Sequence, residues 1–152
     1  MVKPIPDGYH TMTPYLTVKG ADRAMDFYKK AFGAKEIMRM PAGDKIAHAE
    51  MKIGDSMIML ADESPEMGQV SPSGKGQTPV TLCLYLEDVD KVFKQAIAAG
   101  GKEMRPLQNQ FYGDRSGMLM DPFGHVWNVA THVEDVSPEE MKRRMAAMPK
   151  PG

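Results

Sequence analysis

Two stretches of the chain show the same succession of hydrophobic patterns. Residues 11–18 alternate between apolar and semi-polar side chains, which predicts a half-buried strand, and apolar residues at helical spacing follow. Residues 79–86 alternate in the same way and are also followed by a helical stripe. A shift of 68 positions carries Ala21 in the first stripe onto Val89 in the second. The pattern therefore predicts an internal repeat.

Three candidate strands follow each predicted helix. They span 35–40, 45–53 and 56–61 in the first half, and 102–107, 113–120 and 125–131 in the second. Gly54-Asp55, between two alternating runs, indicates a tight hairpin. Asp121-Pro122-Phe123-Gly124 has the chemistry of a turn, because Pro presets φ at the second position and Gly tolerates a positive φ at the fourth. Asp88 is a suitable N-cap for the second helix.

These elements predict an α+β fold in which two tandem β-α-β-β-β modules form a curved mixed sheet. We expect one domain over residues 1–152, with its modules at 11–61 and 79–132. The polar segment 62–78, rich in Pro, Gly and Ser, is interpreted as a flexible connector or lid. Residues 137–147 are predicted to form a short C-terminal helix, since Ser and Pro at its start favour helix initiation.

The alternating strands have one face for the core and one for a ligand. Leu16 and Val18 are expected to point at the helices, together with the leucines of residues 79–86. The opposite faces carry Thr13, Tyr15, Thr17, Thr81, Cys83 and Tyr85. These side chains are too polar for a dry core and too aromatic for a plain surface. Two such sheets placed edge to edge would form a trough, which is the usual form of a small-molecule site.

Composition narrows the class of protein. The chain has 19 basic and 20 acidic residues, which argues against a dedicated nucleic-acid binder. No apolar run has the length of a membrane span, so no membrane partner is expected, and we predict a cytoplasmic protein. Cys83 is the single cysteine and is interpreted as a small core residue rather than a nucleophile.

The chain resembles the vicinal oxygen chelate superfamily, which includes glyoxalase I, bleomycin-resistance proteins and extradiol dioxygenases. The likeness runs from about Thr11 to Thr131, and Phe27-Tyr28 and Phe32-Gly33-Ala34 support it. A narrower resemblance to the PhnB-like branch rests on Tyr112-Gly113-Asp114-Arg115, on Asp121-Pro122-Phe123-Gly124-His125 with Trp127, and on residues 130–136. This fold supports many chemistries, so the resemblance implies a fold more strongly than a reaction.

Metal-dependent members of this superfamily place four ligands on trough-facing strand positions. By strand and motif, these positions fall at Thr13, Met59, Thr81 and Asn128. None of the four is His, Glu or Asp, and such a set suits a divalent ion poorly. We therefore expect neither a metal ion nor any other cofactor. The resemblance further implies a homodimer in which each trough is built from both chains.

His48 and Glu50 form the strongest candidate for chemistry. They lie two residues apart on a predicted strand, so both side chains point to one face. Three interpretations stay open: a solvated or hydrogen-bonded polar face, an acid–base or ligand-contact pair, and a metal site.

Further candidates for ligand contact lie near the expected mouth of the trough. The full set is Tyr15, Met57, Met59, Thr81, Tyr85, Phe111, Tyr112, Arg115 and Asn128. Arg115 could pair with an anionic ligand or could anchor the hairpin through Asp114 or Asp121. Trp127 is expected in the core, and Asn128, its neighbour, in the trough.

The sequence leaves three functions open. The first is a metal-independent protein that binds and sequesters a small molecule. The second is a lyase, isomerase or dioxygenase of the same superfamily that uses His48 and Glu50 or an unorthodox metal site. The third is a partner protein without a small ligand. No Gly-rich loop of the methyltransferase kind is visible in the sequence.

Overall fold

The structure, a computed structural model, describes residues 2–73 and 78–149. In chain order its elements are β1 (Tyr15–Val18), α1 (Ala21–Phe32), β2 (Lys35–Ala42), β3 (Lys45–Ile53), β4 (Ser56–Asp62), β5 (Thr81–Tyr85), α2 (Val89–Ala98), β6 (Lys102–Asn109), β7 (Asp114–Met120), β8 (Val126–His132) and α3 (Pro138–Ala146). A short 3-10 helix, Pro65–Met67, lies in the predicted connector, of which residues 74–77 lie outside the described residues.

The strands form two four-stranded mixed sheets of matching topology. The first has the order β1-β4-β3-β2 and the second the order β5-β8-β7-β6. In each sheet the strand before the helix pairs in parallel with the last strand of its unit, and the other pairs are antiparallel. The α+β fold of two β-α-β-β-β units is therefore confirmed, and the predicted repeat is visible in the strand order.

Several predicted strand boundaries were wrong by a few residues. Strand β1 begins at Tyr15 rather than at residue 11, directly after Pro14, which has no N–H to donate to a ladder. Strands β2 and β6 are longer than expected, because each accommodates a proline next to a shift in register. In β2 this leaves only Gly43-Asp44 as the turn, with Gly43 at φ 64°.

The helices cover one face of each sheet, as the alternation of the strands predicted. Leu16 and Val18 are buried under the helices, and the leucines of β5 pack against the same core. Trp127 is also in the core, at 1% exposure, which confirms that prediction. Its ring centroid lies 4.7 Å from that of Phe32 in α1, so one aromatic cluster joins the two halves of the chain.

The end of β4 positions α1. Oδ1 of Asp62 accepts hydrogen bonds from the backbone N–H groups of Gly20 and Ala21 at 2.8 and 2.9 Å. Its Oδ2 accepts from the N–H of Ile46 in β3 at 2.8 Å. Gly20 has φ 90° and no side chain, so a carboxylate from another strand performs the role of an N-cap.

Two helix starts were predicted correctly. Asp88 accepts a hydrogen bond from the N–H of Lys91, and Ser137 accepts from the N–H of Glu140. None of the helices that the structure describes is long and apolar enough to cross a membrane.

Candidate functional site

The face of the first sheet that turns away from α1 brings together four predicted site residues. In the strand registers, Tyr15 is the partner of Met59, and Met59 is the partner of Glu50. His48 lies two residues before Glu50 on the same face. We call these four residues the open face of the first sheet. Tyr15 is 48% exposed there, whereas Leu16, its neighbour in sequence, is buried on the other side.

Tyr15, His48 and Glu50 form one hydrogen-bonded chain. The hydroxyl oxygen of Tyr15 lies 2.7 Å from Nδ1 of His48, and Nε2 of His48 lies 2.8 Å from Oε2 of Glu50. A neutral imidazole fits both contacts when its Nε2–H donates to the carboxylate and Nδ1 accepts from the phenol. Partial burial raises the pKa of Tyr15 through desolvation, so the phenol stays protonated near neutral pH.

A cavity of about 440 Å³ lies over this face. Its floor includes Glu50 and Met59, and its wall is the N-terminal segment, residues 4–13. The lining consists of Pro4, Ile5, Pro6, Tyr9, His10, Thr11, Thr13, Glu50 and Met59. Its volume is within the range that small-molecule sites occupy, and its wall is mostly apolar. The arrangement is an open cleft that can receive a small ligand and offer it one carboxylate.

A second cavity of about 150 Å³ lies where the two sheets come close. Met57, Thr13 and Cys83 are among its lining residues. Met57 shares the strand face of Met59 but is only 6% exposed, so this predicted contact residue is covered at the junction of the sheets.

The second sheet also has a face without a helix, and it carries a second polar chain. The hydroxyl of Tyr85 donates to Oδ2 of Asp114 at 2.7 Å, and Oδ1 of Asp114 lies 2.8 Å from Nδ1 of His132. Nε2 of His132 lies 2.8 Å from Asp135. Hydrogen bonds to the two carboxylates raise the pKa of His132, and the bond to Asp114 has the larger effect. Its bond to Asp114 also raises the pKa of Tyr85.

One cross-strand row on this face contains Asn128, which was predicted in the trough. The strand registers join Arg105 to Met118, Met118 to Asn128, and Asn128 to Cys83. We call these four residues, together with Tyr85, the open face of the second sheet. Cys83 is exposed, which contradicts its interpretation as a core residue. The reason is the strand period of two, which sends Leu82 and Leu84 inward and Cys83 outward.

The remaining predicted contact residues lie elsewhere. Thr81 begins β5 and is exposed. Phe111 and Tyr112 lie in the connection between β6 and β7, with ring centroids 5.3 Å apart in an edge-on arrangement. The structure brings Arg115 to Asp90 on α2, where its guanidinium donates to both carboxylate oxygens at 2.9 to 3.2 Å. Its anchoring partner is thus Asp90 rather than Asp114 or Asp121.

Sequence reasoning missed the chain through Asp114 and His132, and it also missed Arg105. One signal was available for the first. Asp114 and His132 lie at similar distances on either side of the turn at residues 121–124, and an antiparallel hairpin makes such positions partners, as they are here. Nothing in the sequence indicated that Arg105, after a register shift in β6, would face the same side as Asn128.

The four positions onto which the resemblance carries the superfamily's metal ligands offer donors that suit a divalent ion poorly. They supply two hydroxyls, one thioether and one amide from Thr13, Thr81, Met59 and Asn128. Hard and borderline ions need carboxylate or imidazole ligands, and a thioether suits neither. Within residues 2–73 and 78–149, no three His, Cys, Asp or Glu side chains are grouped so that they could hold a metal ion.

Comparison with known proteins assigns the family. Residues 9–129 match the family described as the Glyoxalase/Bleomycin resistance protein/Dioxygenase superfamily. The chain therefore belongs to this superfamily, and its two four-stranded sheets agree with the fold of solved members.

Three similar proteins illustrate the relationship. An uncharacterized protein of Mycobacterium bovis is 39% identical over 140 residues, which cover 90% of this chain and 92% of that protein. Protein YjdN of Escherichia coli is 28% identical over 142 residues, with 78% and 92% covered. The crystal structure of TioX from Micromonospora sp. ML1 superimposes with a TM-score of 0.66 at 31% identity, covering 82% of this chain and 99% of TioX.

Proposed function

We propose that this chain is a small-molecule binding protein of the PhnB-like branch that sequesters its ligand without a metal ion and functions as a homodimer. The proposal keeps the division into modules 11–61 and 79–132 within one domain. The observation that carries it is the cavity of about 440 Å³ above Glu50 and Met59. A cavity of this size with apolar walls and few polar groups is typical of a ligand site.

The exposed apolar side chains of the open faces support the homodimer. Tyr15 is 48% exposed and Tyr85 is 68% exposed, and Met40, the cross-strand partner of His48, adds further exposed apolar surface. Exposed apolar surface of this kind often marks an interface. Light scattering coupled to size-exclusion chromatography should give twice the mass of the chain, and a monomer at micromolar concentration would refute this part of the proposal.

Ligand binding can be tested by thermal-shift screening with flat aromatic and peptide-like compounds. A ligand that binds only the folded state raises the melting temperature. For any compound that does so, Met59→Ala and Glu50→Gln should each weaken binding by about tenfold. Met145→Ala, at an exposed position on α3, is the matched control and should leave the affinity unchanged. Equal affinities in all three variants would exclude the cavity as the site.

Metal independence has its own test. Elemental analysis of protein purified without chelators should find less than stoichiometric metal, and a tightly bound stoichiometric ion would overturn this part. The cytoplasmic location expected from the sequence stays a prediction, which cell fractionation would check.

An enzyme of the same superfamily is the second candidate, because the Tyr15–His48–Glu50 chain has the arrangement of an acid–base relay. Glu50 is the member of this chain that lines the cavity, so its carboxylate would take a proton from a carbon acid bound there. His48, held by the phenol of Tyr15, would orient that carboxylate through Nε2–H, and return of a solvent-exchanged proton from Glu50 to the same carbon would complete the cycle. Exchange of such a proton for deuterium from solvent, abolished in Glu50→Gln, would favour the enzyme over the sequestering protein.

A further inference from the structure

The guanidinium of Arg105 lies on the open face of the second sheet without a carboxylate partner. Its Nη2 and Nε lie 2.7 and 3.2 Å from Sδ of Met118. A thioether is a weak acceptor, so these donors are poorly used. No Asp or Glu in the described parts of the chain forms an ion pair with Arg105, whereas Arg39, Arg115 and Arg143 each have one and Arg144 has two.

Two buried polar atoms on the same sheet face as Arg105 have no hydrogen-bond partners of their own. Among the described residues, Oγ of Ser116 and Oδ1 of Asn128 are buried and accept or donate no hydrogen bond. Asn128 is the cross-strand partner of Met118, and Ser116 lies two residues before Met118 on the same face. Buried polar groups are normally satisfied, so two unsatisfied ones on one face indicate a missing bonding partner.

We infer that this row is a subsite for the acidic group of a small organic acid, either a carboxylate or a phosphonate or phosphate ester. The fork of Arg105 matches two oxygens of such a group, and the hydroxyl of Ser116 supplies a further donor. Oδ1 of Asn128 is then satisfied by a hydroxyl or N–H next to the acidic group. The apolar body of the ligand lies against Met118.

The carboxylate of Asp114, on the same face, is already engaged in hydrogen bonds. Asp114 is four residues from Met118 on β7, about 13 Å along the strand. Its two oxygens are bound by Tyr85 and His132. An anion at Arg105 therefore meets a cation with free donors rather than a repelling carboxylate. This inference rests on the proposed small-molecule function, and it adds a second contact surface, on the second sheet, with the chemical class that this surface binds.

Methyl resonances of labelled methionine provide the test, because Met118 contacts Arg105 directly and Met59 reports on the other sheet. The full chain, with methionine methyls labelled with carbon-13 and Met118→Leu for assignment, is titrated with benzoate, phenylphosphonate, benzamide and inorganic phosphate. Benzoate or phenylphosphonate should shift the Met118 methyl and saturate, whereas uncharged benzamide should bind there at least about tenfold more weakly.

The variants separate a specific site from bulk charge. Arg105→Gln should lower the affinity for the acidic probes by about tenfold or more. Arg105→Lys keeps the charge but loses the two-pronged guanidinium, so its affinity should be intermediate. Lys94→Gln removes the same charge from the exposed side of α2 and should change the affinity by less than about twofold. Because Arg105 is exposed, the melting temperature of its variants should match that of the parent chain.

The outcomes also distinguish the two proposals. If neutral aromatic compounds shift Met59 while acidic probes leave Met118 unmoved, the acid subsite is wrong and the small-molecule function stands. If no probe shifts either methyl, both are contradicted. Equal losses of affinity in Arg105→Gln and Lys94→Gln would mean that the probes respond only to net charge, which would overturn the subsite. Inorganic phosphate that binds as tightly as phenylphosphonate would overturn the assignment to an organic acid.

Discussion

The hydroxyl of Tyr28 in α1 donates a hydrogen bond of 2.6 Å to Oδ2 of Asp121, which begins the turn before β8. The same oxygen accepts from Nε1 of Trp127 at 2.9 Å. Oδ1 accepts from the backbone N–H groups of Phe123 and His125. A carboxylate with 1% exposure therefore has four donors, and one of them comes from the other half of the chain. This contact explains why the turn has Asp at its first position.

Removal of the Tyr28 hydroxyl should destabilise the fold. Tyr28→Phe leaves a buried carboxylate with one donor fewer, so we expect a loss of about 1–3 kcal/mol in the free energy of unfolding. Urea denaturation followed by fluorescence would measure it. Tyr112→Phe, which removes a partly exposed hydroxyl, should cost less than about 0.5 kcal/mol. Equal stability of both variants would mean that Asp121 does not depend on the phenol.

Asp62 gives a second prediction, because one side chain serves three backbone donors. Asp62→Ala removes the acceptor of Gly20, Ala21 and Ile46, and it should destabilise the chain by about 2–3 kcal/mol. Amide hydrogen exchange at these three residues should accelerate more than elsewhere. Asp55→Ala, in the exposed hairpin turn, is the control; similar exchange in both variants would contradict the capping role.

The repeat could be predicted from the sequence because a strand with one buried face alternates apolar and polar residues. Residues 11–18 and 79–86 both show this alternation. The same reasoning placed Trp127 in the core. It also placed Cys83 on the face of Thr81 and Tyr85, where it is exposed, whereas the separate interpretation of Cys83 as a small core residue was wrong. The strand period of two is what puts Cys83 on the open face.

Contacts between distant strands could not be predicted in this way. Strand β4 lies between β1 and β3, so the phenol of Tyr15 reaches across β4 to His48. Neither residue carries a local signal of that contact. Arg115 likewise finds Asp90 only because α2 covers that side of the second sheet. Strand order and helix position decide these pairs, whereas the sequence pattern decides only which face each side chain occupies.

The tautomer of His48 is a direct test of the polar chain on the first sheet. With Glu50 accepting from Nε2–H and Tyr15 donating to Nδ1, we expect the neutral ring to carry its proton on Nε2. Long-range nitrogen–proton correlation spectra above neutral pH would show this. Glu50→Ala combined with Tyr15→Phe should return the ring to the mixture of tautomers of a free histidine. His10, which has no hydrogen-bonded partner among the described residues, provides the reference in the same spectrum; identical behaviour of both rings would rule out the chain.

The pair formed by Asp114 and His132 should make stability depend on pH. Their hydrogen bond, together with that from Asp135, raises the folded pKa of His132 above its unfolded value of about 6.5. The protonated ring is therefore favoured by the fold, so its contribution is fully present below about pH 6.5 and is lost as the pH rises through the higher folded pKa. The difference in melting temperature between the parent chain and His132→Gln should be largest near pH 5.5 and shrink toward pH 9. A gap that widens with pH for His132→Gln would show that the neutral ring, rather than the imidazolium, is what Asp114 holds.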